Sequence, residues 1–289
     1  MKKSTVLVTG RNGFIGNRLC KYLIEKQIAL LIYGDGTGGK NSLDVTNFHT
    51  LLSINSHIKA IIHLAAKTSI VDSFRNPYTT YHTNLVGTFN LLEFARLKKI
   101  KKFINVSTYV YGQPQYVPID ENHPIDPHSP YNKSKLLADQ LCQFYSRDFD
   151  IDIVIVRPFY IYGPGTSSDS FIPSVIRQIR ETGEVILNGR DITRDFLFID
   201  DFIRLLIMIL YKFPKGYNIF NVGSGTHHTL EEVTHIIARL LNKDFNIQYN
   251  SSYIYTNVST MQADITKVSN AFKWKPTVNI EKGLRLTIE

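Results

Sequence analysis

The chain has 289 residues, 43% of them hydrophobic, and a formal net charge of +8. It is too apolar for a disordered chain and long enough to bury a large core, as one α/β unit or two closely joined domains. No apolar run reaches the roughly 18 residues that a membrane helix needs, and the run after Met1-Lys2-Lys3 stops at Thr9-Gly10, too short for a leader, so the expected location is cytoplasmic with no membrane partner.

Val6-Leu7-Val8 predicts a first strand, followed by Gly10-Arg11-Asn12-Gly13-Phe14-Ile15-Gly16, a Gly-x-x-Gly-x-x-Gly. Glycine takes backbone angles that a Cβ forbids. Gly10 permits a tight turn, Gly13 lets a pyrophosphate approach the backbone, and Gly16 allows close packing of helix on strand. A helix from about Phe14 to Lys26, with Ile15, Leu19 and Leu23 on one face, would aim its N-terminal N–H groups at that pyrophosphate. The alternative is a glycine-rich turn that holds no ligand, and the strand-turn-helix context favours the dinucleotide.

Leu30 to Tyr33, Ala60 to His63, Phe103 to Val106 and Ile153 to Val156 predict four further strands, with helical patterns between most of them. This alternation gives an α/β fold, a doubly wound parallel (Rossmann) sheet covered on both faces, whose strand ends share one edge where ligands bind. The basic cluster Lys98-Lys99-Ile100-Lys101-Lys102 reads as a solvated connection; the other basic residues are dispersed, no RNA-binding signature accompanies them, and no nucleic-acid partner is expected. Cys20 and Cys142 fall in predicted helices, suit a reducing compartment and form no metal-ligand pattern, so no metal is expected.

Ser107 directly follows the fourth strand. In Ser129-Pro130-Tyr131, serine caps a helix and proline occupies its first turn, which puts Tyr131 and Lys135 one turn apart on the same face. A free tyrosine has a pKa of about 10; a neighbouring ammonium and a positively charged nicotinamide both favour phenolate and would make Tyr131 a usable acid or base near neutrality. The alternative is a surface helix with a packed tyrosine and a solvated lysine. Beyond Arg157-Pro158 the pattern loosens into Tyr162 to Ser168, then a helix near Ile172 to Glu181. Thr229 with Glu232 opens another as a capping box, running through Leu241. The expected division is a dinucleotide-binding domain over 1–160, joined by parts of 195–225, and a smaller substrate-binding domain over 161–289.

Taken together, the motifs resemble those of the extended short-chain dehydrogenase/reductases of the nucleotide-sugar epimerase, dehydratase and reductase group. Beyond the glycine loop and Tyr131-x-x-x-Lys135, the matching stretches are His63 to Ala66, Asn84 to Thr88, Ser107 through Val110-Tyr111-Gly112, Arg157-Pro158, Tyr162 to Gly165, Arg194-Asp195-Phe196 with Asp200-Asp201, Phe220 to Gly225 and Trp274-Lys275-Pro276. The resemblance implies that Tyr131 transfers the proton, Lys135 holds the nicotinamide ribose and Ser107 hydrogen-bonds the reacting oxygen. It places Gly10, Arg11, Gly13, Phe14, Ile15, Gly16, Asp44, Val45, Leu64, Ala65, Ala66 and Phe159 along the cofactor. Lys67, Thr108, Tyr160 and Arg194 fall to the substrate, Arg194 on its diphosphate; the alternative for Arg194 is pairing with Asp191 or Asp195 to hold a loop. It also implies a homodimer.

Cofactor choice turns on the end of the second strand, where an acidic residue normally binds the ribose of NAD. The aligned place is Gly34, with Asp35 beside it, and Asp35 also reads as a turn residue before Gly36. Arg11 and Lys40 would meet a 2′-phosphate, so the expectation leans slightly to NADP over NAD. Three departures narrow the reaction. Thr108 and Tyr109 replace the Asp-Glu pair of the 4,6-dehydratases, Tyr160 stands where many epimerases have asparagine, and Ser259 to Ala263 lacks an arginine often used on the diphosphate. The resulting expectation is a nucleotide-sugar 4-ketoreductase, with a 4-epimerase as the alternative. A non-catalytic dinucleotide sensor or RNA-binding relative has no need of Ser107, Tyr131 and Lys135 together.

Overall fold

The structure, a computed structural model, describes residues 5–28, 30–32, 43–250 and 258–289. The chain divides into two compact units, Met1–Val110 with Pro127–Arg157 and Ile203–Phe220, and Tyr111–Asp126 with Pro158–Phe202 and Asn221–Glu289. In the first unit, β1 (Thr5–Thr9), β2 (Leu30–Ile32), β3 (Ile58–His63), β4 (Lys102–Val106) and β5 (Asp152–Pro158) form a parallel sheet. Its order is β5-β4-β3-β1-β2, with the strand Tyr217–Val222 beside β5. Every expected strand is present, and β3, β4 and β5 extend beyond their apolar runs because the ladder continues into polar positions such as Lys102 opposite Asp152.

The register explains why these strands are apolar throughout. Leu7, Ile61, Phe103 and Ile153 stand side by side in one row, and Val8, Ile62, Ile104 and Val154 in the next. Adjacent rows point to opposite faces, yet all eight side chains are 0% exposed, so both faces of the sheet are covered. The first row packs against Leu91, Leu92, Phe94 and Ala95 of α5 (Gly87–Leu97), and Cys142 of the long helix Pro130–Phe149 joins the same cluster.

The helices carry the expected signals. Helix α1 (Phe14–Glu25) buries Gly16, Leu19, Cys20 and Leu23. Four short elements that apolar periodicity does not resolve lie between β2 and β4: α2 (Phe48–Leu52) before β3, and α3 (Ile70–Arg75), α4 (Pro77–Tyr81) and a π-helical turn, His82–Val86, leading into α5 after it. Asn47, Ser69 and Asn76 cap α2, α3 and α4. The long helix, α6, follows after β4. Among the described residues no helix is long and apolar enough to cross a membrane.

In the second unit, Phe171–Glu181 and Leu230–Leu241 are helical, the latter opened by the Thr229/Glu232 capping box. Two buried carboxylates organise the loops. Asp195 accepts from Ser224 N and Oγ (2.5 and 2.7 Å), Gly225 N (3.1 Å) and Ala263 N (3.0 Å), and a Cβ on Gly223 would collide with it. Asp201 accepts from Thr277 N, Thr277 Oγ1 and Val278 N, while the Trp274 indole donates to its carbonyl. These bonds give structural roles to Asp195, Asp201, Gly223 to Gly225 and Trp274 within the matching stretches. Asp195→Ala strips the acceptor from four donors and is expected to cost about 3 kcal/mol or more, read as a lowered urea midpoint; a loss under about 0.5 kcal/mol would show the anchor to be dispensable.

Candidate active site

The strand ends of the first unit bring the glycine loop and the segment after β3 together. Gly10 has φ +74°, and a Cβ there would lie 2.5 Å from the Ala65 backbone nitrogen; a Cβ on Gly16 would run into the Gly10 carbonyl. The turn closes through Gly13 N to Gly10 O at 3.1 Å. Gly13 caps α1 without a side-chain bond, and the first turn holds no acidic residue. The bare N–H groups, positive dipole end and Cβ-free approach fit a dinucleotide pyrophosphate. Arg11 is exposed beside this turn. Phe14 and Ile15 open α1, both half-buried.

Thr9, His63 and Thr88 hold this corner in a defined hydrogen-bond direction. Thr88 Oγ1 donates to Asn84 O (2.6 Å), so its contact with His63 Nε2 (3.1 Å) uses a lone pair, and Nε2 carries the proton. His63 Nδ1 therefore accepts from Thr9 Oγ1 (2.8 Å), whose lone pairs receive Leu64 N (3.3 Å) and Ala65 N (3.4 Å). Burial, with the positive charge of Lys135 adding to it, pushes the His63 pKa well below its ordinary value, in keeping with a neutral ring. Asn84, in the π-helical turn, clamps the backbone of Lys67 (2.8 and 3.0 Å) and donates to Ser134 on α6 (2.9 Å). A π-turn at such a corner is a frequent mark of a functional site. The Lys67 side chain itself is exposed.

Asp44 is exposed and bonds Thr46 N and Oγ1, a local turn, while Asn90 of α5 holds the Val45 and Thr46 carbonyls. Leu64, Ala65 and Ala66 are half-buried. Gly34, Asp35 and Lys40 lie outside the described residues.

At the start of α6 the expected cap is present, Asn132 N donating to Ser129 Oγ at 3.2 Å. Tyr131 is half-buried and hydrogen-bonds the Thr108 side chain. Lys135 is 2% exposed, which disposes of the solvated surface lysine. Two expectations need correction. Ser107 does not present a free hydroxyl to a reacting oxygen, for its Oγ donates to Asp139 Oδ2 at 2.9 Å inside the core; the hydroxyl beside the phenol is Thr108. The phenol is not lowered by the chain's own lysine either: desolvation and the charge of Asp139 push the Tyr131 pKa up, against a smaller downward effect of the Thr108 bond.

Asp139 is the residue that motif reading missed. Its carboxylate also takes Arg157 Nε on Oδ2 (3.2 Å) and Asn105 Nδ2 on Oδ1 (3.1 Å). The signal was available, since Asp139 stands eight positions after Tyr131, two turns along the same helix face. Burial raises its pKa, while Arg157, Lys135 and the Ser107 bond work in the opposite direction; burial lowers Lys135, and Asp139 opposes that.

Three expected residues belong to the second unit. Phe159 N bonds Val222 O (2.9 Å), and the Tyr160 ring packs edge-on to Phe196 (4.9 Å) with its hydroxyl accepting from Phe171 N. Arg194 is 8% exposed, and its Nη1 donates to the carbonyls of Thr193 (2.7 Å) and Ser259 (3.4 Å).

A model of the NAD dependent epimerase/dehydratase family matches residues 6–223. The chain is 32% identical to the UDP-glucuronate 4-epimerase of Thermodesulfobacterium geofontis, over 98% of this chain and 94% of that protein. Among solved structures, the UDP-glucose 4-epimerase of Thermotoga maritima with UDP-glucose superposes with a TM-score of 0.91 at 26% identity, covering 98% of this chain and 97% of that one. RMD from Pseudomonas aeruginosa, complexed with NADPH, gives 0.89 at 27% identity, covering 99% and 97%.

The neutral, enclosed His63 sets a pH dependence. The unfolded chain binds a proton there below about pH 6.5 and the folded chain does not, so its contribution is complete above that pH and is lost as pH falls, by up to about 1.4 kcal/mol per unit. Urea unfolding of wild type and His63→Gln between about pH 7.5 and 5.5 should show the steeper decline in wild type; parallel declines would remove His63 as a source.

Proposed function

Because the chain belongs to the NAD-dependent epimerase/dehydratase family, we propose that it interconverts a hydroxyl and a carbonyl at C4 of a nucleoside diphosphate sugar, acting as a 4-epimerase. The observation that carries this reading is the Tyr131–Thr108 hydrogen bond one helical turn from the buried Lys135. It provides one phenol and one hydroxyl at a single oxygen, and Thr108-Tyr109 offers no carboxylate pair for eliminating water. Support for epimerisation comes from the two 4-epimerases to which the chain is similar. This reverses the order taken from sequence. The 4-ketoreductase remains the second reading, favoured by Tyr160 and by the arginine missing from Ser259 to Ala263.

In this proposal the first unit binds the cofactor and the second contributes to substrate binding. A nicotinamide, when bound, supplies the hydride acceptor and donor. Gly10, Gly13, Gly16 and the N-terminus of α1 hold the pyrophosphate, with Leu64, Ala65 and Ala66 alongside and Asp44-Val45 toward the adenine. Arg11 supports NADP, and the family description supports NAD. Tyr131 takes the sugar hydroxyl proton as the carbonyl forms and returns it on reduction, Thr108 hydrogen-bonds the same oxygen, and Lys135 orients the nicotinamide ribose. Arg194 serves the diphosphate.

Product analysis separates the two readings. An epimerase interconverts two nucleotide sugars without net cofactor consumption, and a reductase consumes added NADPH or NADH. Tyr131→Phe is expected to lose about 10²–10⁴ in turnover with cofactor binding unchanged. Thr108→Ala should lose far more than Ser107→Ala in kcat; the opposite order would return the reacting oxygen to Ser107. UDP, dTDP, GDP or CDP should compete with substrate because the nucleotide supplies remote binding energy. Absence of inhibition by all of them at millimolar concentration would sink the nucleotide-sugar reading.

A second copy of the chain is the proposed partner. Leu85, Val86 and Phe89 beside Leu137, Leu141 and Phe144 line an apolar groove along α6 and along α5 with the π-helical turn before it, with Gln140 the polar member. The same two helices related by a two-fold axis present a matching apolar face. Phe89→Asp with Phe144→Asp should convert a dimer to a monomer in light scattering; a wild-type monomer at all concentrations overturns this.

A further inference from the structure

We infer that Asp139 is a positioning residue of this site: it ties the ends of β4 and β5 to α6 through Ser107, Asn105 and Arg157, and it is the counter-charge against which Lys135 is buried. The catalytic consequence rests on the proposed reaction, and the electrostatic part does not.

The geometry begins with helical spacing. Tyr131, Lys135 and Asp139 occupy successive turns of one face of α6. Lys135 is 2% exposed, Asp139 1%, Arg157 2%, Ser107 4% and Asn105 0%. A carboxylate so enclosed is tolerated only with its oxygens satisfied and a cation at hand. Asp139 meets both conditions, with Ser107 and Arg157 on one oxygen and Asn105 on the other.

Holding Ser107 in this way has a directional effect. The Ser107 amide is fixed to Val156 O at 2.7 Å and its hydroxyl to Asp139. The next residue, Thr108, is thereby the one whose hydroxyl meets Tyr131. The backbone is held there again by Asn132 Nδ2, which donates to the Tyr109 carbonyl at 2.7 Å. Asp139 thus selects which of two adjacent hydroxyls faces the phenol.

The groups acting on this centre are Lys135, Tyr131 and Cys142 from α6, Arg157 from β5, His63 from β3 and Tyr217 from the strand beside β5. With His63 neutral, Lys135 and Arg157 are the cations in this set and Asp139 is its carboxylate. Removing that charge leaves Lys135 and Arg157 buried without the carboxylate, and the lysine is the one able to release a proton.

The test follows the titration of Lys135 directly in full-length protein labelled with [ε-13C]lysine, its resonance identified by its absence in Lys135→Arg. In Asp139→Asn the midpoint should fall by at least about one pH unit. The reciprocal measurement uses [γ-13C]aspartate, with Asp139 identified by Asp139→Glu: in Lys135→Met its midpoint should rise by a similar amount, because coupling is symmetric. Should Asp139→Asn not fold, the reciprocal variant decides alone. A midpoint that moves by less than about 0.3 units in the folded variant overturns the inference, since a purely structural carboxylate would alter stability and leave the titration in place. Where turnover is measured, the kcat–pH profile of Asp139→Asn should shift the same way as Lys135. Absence of turnover with every nucleotide sugar would refute the proposed reaction and leave the titration result standing.

Discussion

A carboxylate removed from water costs several kcal/mol unless its surroundings return that energy, and Asp139 is 1% exposed. The compensation comes from β4, β5 and α6 at once, so the charge cannot be satisfied unless those elements are in register. The parallel sheet supplies the frame, with Asn105 opposite Ile155 and Val106 opposite Val156. Asn105 and Arg157 then arrive at the two oxygens from neighbouring strands. The electrostatics and the fold specify one another here: the sheet brings the donors to Asp139, and Asp139 penalises any slip of the strands that bear them.

The other half of the site is held by a neutral relay. Thr9 ends β1, His63 ends β3, and Thr88 lies on α5; one proton direction runs through all three to the Asn84 carbonyl. Each hydroxyl donates once, so the ring tautomer follows from counting protons. The relay fixes the distance between the glycine loop and Leu64-Ala65, which the missing Cβ of Gly10 allows to be so small. An ionised histidine would turn Nδ1 into a donor, reverse the Thr9–His63 bond and add a positive charge that Lys135 opposes.

Much of this was legible in the residues. The strands, the glycine turn, the Ser129 cap and the Thr229 capping box are local patterns, and local patterns survive folding when burial agrees with them. The pairing of hydroxyls was not legible. Ser107 and Thr108 are adjacent, chemically alike and both close to a strand end, and only the position of Asp139 across the sheet decides which one is consumed by the core. The sign of the Tyr131 shift was misjudged for a related reason: sequence spacing puts a lysine near a phenol, but it does not report the desolvation of the phenol or the charge of a carboxylate one turn further on. The π-helical turn at His82–Val86 also escaped, because its hydrogen-bond pattern departs from the apolar period that sequence reading detects.

The raised Tyr131 pKa has a consequence for when the site becomes active. In the chain by itself the phenol keeps its proton near neutrality, held there by desolvation and by the negative charge of Asp139. A phenol in that state can give a proton to a developing alkoxide but is a poor acceptor from a sugar hydroxyl. Acceptance requires a positive charge placed close to the ring, which an oxidised nicotinamide carries and a reduced one does not. In the proposed reaction, the direction in which Tyr131 moves its proton would therefore be coupled to the redox state of the cofactor by electrostatics.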